Sequence, residues 1–424
     1  METTTTPRTR ALIERVRTFC DAHVLPRNRE MLAHEMTDPA DDPPFVAQLR
    51  EKARAEGLWN FAMTELDPGR PGEPMSNTDY AVLAEYLGRV LWSSKVFNCQ
   101  WPDVPNMVAL QQWATPQQKQ AWLDPLLDGD CHSAFAMTEP AVASSDARNI
   151  GTRIRRDGDQ YVLDGEKWYI TGAGHPRCRF YMLLGQTDPD AAPGSRHSVV
   201  MVPRDTPGLT IGAPSTFFGY REPSGPAHSL RFEGVRVPIE NRIGAEGDGL
   251  RVAQARLAPA RLHHCMRGIG ISELLIELML SRGRERHTFG RPIADYDAVQ
   301  HAVALSRVDV EQMRLLTHSV AARVDRLGAK GAFRELAILK VGVAQAMYRV
   351  AERAVQVFGA MAGYQGAPVA NAYAWARAFR IGDGPDEVHL RTIFRMESAP
   401  TETLDESPYV LPPSSSGLSA SARA

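Results

Sequence analysis

A chain of 424 residues, 43% hydrophobic and 23% charged, has the composition of a soluble globular protein and enough length for more than one domain. A formal net charge of -2, with Lys and Arg dispersed along the chain, excludes nucleic acid or an anionic membrane as the main partner. Five cysteines without paired metal-ligand spacing (Cys20, Cys99, Cys131, Cys178, Cys265) read as free thiols in a reducing compartment, and no apolar run reaches membrane-spanning length. The Thr-rich start carries Glu2 and Glu14 and lacks a signal-peptide apolar core, so the expected location is cytoplasmic.

The first third predicts helices. Asn77 or Thr78 is the expected cap of a helix with Tyr80, Leu83, Ala84 and Leu87 on one face. Asp67 to Pro74 is a Pro/Gly-rich loop. Thr115, Pro116 and Gln118 form a capping-box pattern ahead of Trp122, Leu126 and Leu127. From about Ser133 to Pro238 the period shortens to that of strands, with turns expected at Asp164-Gly165 and Glu233-Gly234. The stretch Thr187 to Gly194 reads as a surface loop. After Gly249 the helical period returns, and Leu336, Leu339, Val343, Met347, Val350, Ala354 and Val357 form one apolar stripe. The tail beyond Ser407, with Pro412-Pro413 and Ser414-Ser415-Ser416-Gly417, is expected to be disordered.

Within the strand region, Met137-Thr138-Glu139-Pro140 and Trp168-Tyr169-Ile170-Thr171 each place a hydroxyl beside a thioether or aromatic side chain. Two such strand ends suit a flat heteroaromatic ring with polar edges, as in a flavin. With these segments stand Val96-Phe97-Asn98-Cys99-Gln100, Ala143-Ser144-Ser145-Asp146, Arg261-Leu262-His263-His264-Cys265-Met266-Arg267 and Asp383-Gly384-Pro385-Asp386-Glu387-Val388-His389-Leu390. In this order, from about Ser76 to Met396, the chain resembles the acyl-CoA dehydrogenase family, in the branch of family members ten and eleven.

The resemblance implies an α+β fold. Its parts are an N-terminal helical domain (1–132), a middle β-barrel or sandwich domain (133–242) and a C-terminal four-helix bundle (243–400), followed by the tail (401–424). It also implies FAD, a homodimer or homotetramer, and a place in fatty acid metabolism. The implied reaction is oxidation of an acyl-CoA or acyl-carrier thioester to the trans-2-enoyl thioester, with an electron-transferring flavoprotein reoxidising the flavin. Asp383 falls at the position of the family's catalytic base, where Glu is the commoner residue; the other reading of Asp383 is a cap for the helix starting near Pro385. Glu387 is the fallback base on an exposed helix face, and Asp386 a solvated or capping group.

By the same resemblance Met137, Thr138, Ser144 or Ser145, Trp168, Ile170 and Thr171 line the flavin. Arg286 and Phe289 meet the pyrophosphate and adenine of FAD in a neighbouring subunit, and Gln356 and Gly359 match part of a Gly-rich turn at the dinucleotide. Asp297 stands where the family has Gln, and Ala360 interrupts that turn. Arg261 is a candidate for CoA phosphates, an acyl polar group or a surface ion pair. Tyr220 and Gly384 are candidates for the substrate pocket. His263 and His264 point about 100° apart on a helix and do not share one metal. The alternatives are a flavin-dependent monooxygenase or oxidase on the same fold, and a non-catalytic flavoprotein that binds a macromolecule.

Overall fold

The computed structural model describes residues 6–37, 41–220, 225–364 and 367–398. The expected disordered tail lies outside the described residues.

The helical first block follows its local signals. Thr115 and Gln118 form the reciprocal capping box. The helix Asn77–Gly88 is capped one residue earlier than expected, by Ser76, whose side chain accepts the Asp79 N–H. Asn77 and Thr78 instead give their backbone N–H groups to Asp325, at 2.8 and 2.9 Å. A side chain remote in sequence thus takes the donors that a local cap would satisfy.

The middle block is one sheet of eight strands: β1 (His132–Ala136), β2 (Arg153–Asp157), β3 (Gln160–Thr171), β4 (Cys178–Gln186), β5 (His197–Pro203), β6 (Leu209–Ser215), β7 (Ala227–Pro238) and β8 (Arg242–Ile243). Its order is β6-β7-β3-β2-β4-β5-β8, with β1 added parallel to β4. Alternate residues serve two cores. Phe180, Met182, Leu184, Val199 and Met201 face the helices. Tyr181, Leu183, Val200, Val202, Leu163 and Phe232 fill a core within the sheet.

Both expected turns in this block prove to be bulges inside strands. The hairpin joining β2 to β3 turns at Gly158-Asp159, because Asp157 pairs with Gln160. Asp164-Gly165 lies within β3, and Glu233-Gly234 lies opposite it within β7, where the register shifts. The Gly234 N–H donates to Asp164 Oδ1 at 2.8 Å. A side chain at Gly165 would meet Thr152 Oγ1 at 2.6 Å, so this glycine permits close approach of a neighbouring segment.

The C-terminal block has three long helices, Gly249–Glu285, Asp297–Gly331 and Phe333–Phe358, and two shorter ones, Pro368–Phe379 and Asp386–Glu397. The expected stripe from Leu336 to Ala354 is buried. The helix Gly249–Glu285 crosses Asn77–Gly88 at near contact of backbones: a Cβ on Gly270 would lie 1.9 Å from Glu85 O, and one on Gly88 2.2 Å from Arg267 O. Gly270→Ala must push the helices apart, and we expect a loss of about 1–3 kcal/mol, read as a lower urea midpoint at unchanged m-value. All five cysteines are buried and free. Among the described residues no helix is long and apolar enough to cross a membrane.

Candidate active site

Asp383 sits in the short connection between helices Pro368–Phe379 and Asp386–Glu397. It takes a left-handed backbone conformation (φ 56°), and Gly384 follows at φ 101°. For a residue with a Cβ this conformation costs about 1 kcal/mol, so its surroundings must impose it. They do so through the carbonyls. Arg261 Nε donates to Asp383 O at 2.9 Å, and His389 Nε2 lies 3.2 Å from the same oxygen. Lys340 Nζ donates to Phe379 O and, at 3.4 Å, to Gly384 O. Gly384 has no room for a side chain, since a Cβ would stand 2.8 Å from His389 Nε2.

The helix Asp386–Glu397 has Pro385 at its N-cap position and no side-chain cap, which removes the capping reading of Asp383. Its carboxylate turns inward, with 7% of the side chain exposed. Arg256 Nη1 lies 3.9 Å from Oδ1 and His264 Nε2 3.5 Å from Oδ2. Burial pushes the Asp383 carboxyl above the usual range, against the opposing pull of Arg256, Arg261, Lys340 and Arg267. The guanidinium of Arg256 is stacked between Trp101 (4.4 Å) and Phe135 (4.9 Å) and donates to Asn106 Oδ1 at 3.2 Å. Arg256 thereby connects the carboxylate to β1, and Phe135 is two residues from Met137.

At the end of β1 the two expected ring-facing segments are tied together. Thr138 Oγ1 donates to Trp168 O at 2.8 Å, and the Trp168 N–H returns to Thr138 O at 3.0 Å. Beneath them Lys167 is fully buried and donates to Met137 O (2.9 Å), Leu184 O (2.7 Å) and Glu139 Oε1 (2.8 Å). Glu139 also accepts the N–H groups of Gly151 and Thr152, both at 2.8 Å. Burial pushes the Glu139 carboxyl up, but Lys167 and these donors bring it below the usual range. Met137, Thr138 and Thr171 are half-buried, Ile170 is buried, and Trp168 is 37% exposed and stacked on Tyr169. Trp168 is thus not a core residue. The Ser144 hydroxyl accepts the Glu139 N–H at 2.9 Å and so shapes its own loop, whereas Ser145 is exposed.

The chain matches three domain models over nearly its whole length: "Acyl-CoA dehydrogenase, N-terminal domain" at residues 6–130, "middle domain" at 134–235 and "C-terminal domain" at 247–397. The chain belongs to the acyl-CoA dehydrogenase family. It is 46% identical over 365 residues to the Mycobacterium tuberculosis protein named Probable acyl-CoA dehydrogenase FadE2, covering 85% of this chain and 87% of that one. To rat acyl-CoA dehydrogenase family member 11 it is 41% identical over 393 residues, 91% of this chain but 50% of the relative. It therefore spans about half the length of that animal relative. A solved Mycobacterium abscessus chain assigned to the acyl-CoA dehydrogenases superposes with TM-score 0.89 at 40% identity, over 93% of this chain and 98% of that one. Butyryl-CoA dehydrogenase from Megasphaera elsdenii, at 23% identity and TM-score 0.79, covering 94% and 100% of the two chains, shares the fold.

In this acyl-CoA dehydrogenase family chain the sequence-derived candidates fall into three places. Asp383, Gly384 and Arg261 come together at the carboxylate. Met137, Thr138, Ser144, Trp168, Ile170 and Thr171 come together at the strand ends. The others lie elsewhere on the surface. Phe289 is 96% exposed in the hairpin of His287–Thr288 with Arg291–Pro292, beside the exposed Arg286. Gln356 and Gly359 are exposed where the helix Phe333–Phe358 ends. Tyr220 is half-buried and bridges back to Phe217.

Two expectations change. Arg261 is buried and bonded to the Asp383 carbonyl, so it is not the surface ion-pairing group considered for it. Asp386 is neither solvated nor capping: it is buried and accepts from Arg380 Nε at 2.8 Å. Glu387 is exposed, as read.

The sequence motifs assign no site role to Arg256, His264, Lys340 or Lys167, although His264 stands within the string from Arg261 to Arg267. Lys340 had a legible signal, a cation four residues after Leu336 inside an apolar stripe. Arg256 had none, and the role of His264 was not legible, because their partners Trp101, Asn106 and Asp383 are far away in sequence.

A separate buried group, Asp42, His132 and His175, brings three ligand-type atoms within 4.8 Å of one another. Lys95 already pairs with Asp42, and the Arg177 N–H donates to His175 Nδ1 at 3.1 Å, which puts the ring proton on Nε2. A cation there would face an ammonium and an N–H, so the group is not read as a metal site.

Proposed function

We propose that this acyl-CoA dehydrogenase family member oxidises an acyl-CoA, or acyl-carrier, thioester to the trans-2-enoyl thioester with FAD as the acceptor. The observation that carries the reading is the inward, buried carboxylate of Asp383, joined through Arg256 to the strand whose end holds Met137 and Thr138. The residues at that end fit a flavin. Just beyond the buried strand β1, Met137, Thr138 and Trp168 keep partly exposed side chains around backbone tied by the paired Thr138–Trp168 hydrogen bonds. They offer a flat apolar surface with a hydroxyl at its edge. Ser144 or Ser145 would hold the cofactor beyond it, with Ile170 and Thr171 on the second segment. Arg286, Phe289, Gln356 and Gly359 would meet the dinucleotide half from a second copy of the chain in a homodimer or homotetramer.

FAD, when bound, takes the hydride that leaves the β-carbon. Asp383 takes the α-proton. Its buried position strengthens it as a base, while the surrounding cations oppose that rise in proton affinity. The Asp383 N–H has no acceptor among the described residues and would donate to the thioester oxygen as enolate charge develops. Gly384 and Tyr220 would border the substrate. An electron-transferring flavoprotein would reoxidise the flavin, and the five free thiols fit the reducing cytoplasm. The domain limits 1–132, 133–242 and 243–400 remain our division of the chain.

The test is anaerobic mixing of the FAD-loaded protein with short, branched and long acyl-CoAs. Bleaching of the flavin absorbance by one class, with formation of the enoyl thioester, is expected. Bleaching by NAD(P)H with no response to any thioester would replace this reading with an oxygenase.

A further inference from the structure

His264 is buried beside the Asp383 carboxylate and has no part in the chemistry above. Its ring is enclosed by Trp101 (centroids 4.3 Å apart), Trp375 (5.4 Å) and Phe379 (5.6 Å). Its two nitrogens meet opposite kinds of group. Nδ1 lies 3.2 Å from Arg267 Nη2. A guanidinium has only donors, so Nδ1 must be the accepting nitrogen. In the neutral ring the proton is then on Nε2, which lies 3.5 Å from Asp383 Oδ2. Burial, then Arg267, Lys340, Arg256 and His263, hold the imidazole well below its usual proton affinity, so it stays neutral.

We infer that His264 is a positioning residue for the base: Arg267 fixes its tautomer, and its Nε2–H holds Oδ2 of Asp383 so that the carboxylate plane is set toward the acyl chain. The inference rests on the proposed role of Asp383. An Asp needs such a partner more than a Glu does, because a shorter reach must be met by accurate placement. Its terminal torsion is also broad unless something fixes it. The carbonyl of Asp383 is already held by Arg261 and His389, so the Nε2–H acts on the side-chain torsions that remain. At 3.5 Å the contact is longer than an ordinary hydrogen bond, the spacing of a catalytic contact that tightens when substrate fills the pocket.

Other groups also act on the carboxylate. Arg256, Arg261 and Arg267 come from the helix Gly249–Glu285, Lys340 from Phe333–Phe358, and His389 and Asp386 from Asp386–Glu397. The variants must therefore change the Nε2 donor and leave these in place. Gln puts an N–H near the place of imidazole Nε2. Asn reaches only to the place of Nδ1; it can accept from Arg267 but cannot donate to Asp383.

For His264→Asn we expect FAD content like that of the wild type and flavin reduction about 10–100-fold slower. The acidic limb of its pH profile should move to higher pH, because the ionised carboxylate has lost a donor. In the flavin-free protein, the infrared carboxyl band that disappears in Asp383→Asn should titrate at the same raised pH. His264→Gln should restore most of the rate and return the limb and the band toward their wild-type positions. Rates and limbs alike in all three proteins would overturn the inference and leave the base assignment standing. A loss of folding shared by both variants would assign His264 to packing and also overturn it. Fast reduction in Asp383→Asn would instead remove the base assignment on which the inference stands.

Discussion

Replacing Asp383 by Asn is expected to leave a protein that still binds FAD but reduces it about 10²–10⁴-fold more slowly with its best acyl-CoA. Asn has nearly the shape of Asp and leaves the carbonyl contacts to Arg261 and His389 in place. What it lacks is a site for the α-proton. Among the described residues no other carboxylate of this segment stands ready to substitute, because Glu387 is exposed and Asp386 is engaged by Arg380. The neutral side chain removes both a charge that burial disfavours and its attraction to Arg256, Arg261, Lys340 and Arg267, so the loss of rate is expected without a large fall in melting temperature. Stopped-flow bleaching at saturating substrate separates loss of rate from loss of stability, since a merely unstable variant would have a smaller amplitude at an unchanged rate.

The largest loss of stability is expected at Lys167. Its ammonium is buried and joins Met137 O, Leu184 O and Glu139 Oε1. Lys167→Met leaves a buried carboxylate without its counter-charge and two carbonyls without a donor. Breaking a buried pair in this way costs about 3–5 kcal/mol, read from urea denaturation. Lys167→Met combined with Glu139→Gln should recover part of that loss, because the uncompensated charge is gone. Function should suffer with it. Met137 and Thr138 are the residues that Lys167 holds in line with Trp168, so FAD affinity should fall in the single variant by more than in Gly270→Ala, whose defect lies between helices.

The parts of this molecule that were legible in its sequence are those set by neighbours along the chain. The capping box at Thr115 and Gln118 and the stripe from Leu336 to Ala354 needed only residues within a few turns of helix. Asp164-Gly165 failed as a turn because an Asp-Gly pair signals both a hairpin and a bulge. The turn itself followed another such pair, Asp157-Gly158. The Ser76 cap was displaced from expectation by Asp325, a partner that no local window contains.

At the site, Asp383 and the strand ends could be placed by their motifs, but the setting of the carboxylate could not. Trp101, Asn106, Phe135, Arg256, His264 and Lys340 come from four separate segments, and only folding brings them together. The surface residues Arg286, Phe289, Gln356 and Gly359 remain apart within one chain. Under the proposed function they would meet FAD bound to a second copy of the chain.

Exchange of α-hydrogens with D2O most directly tests whether Asp383 is the proton acceptor. The oxidised protein would be incubated with an acyl-CoA whose β-position has no hydride to give, and deuterium uptake at the α-carbon followed by mass spectrometry. The wild-type protein should introduce deuterium at that carbon, and Asp383→Asn should not exceed the rate in buffer. Equal uptake by both proteins would mean that another group removes the proton, and the central claim would fail.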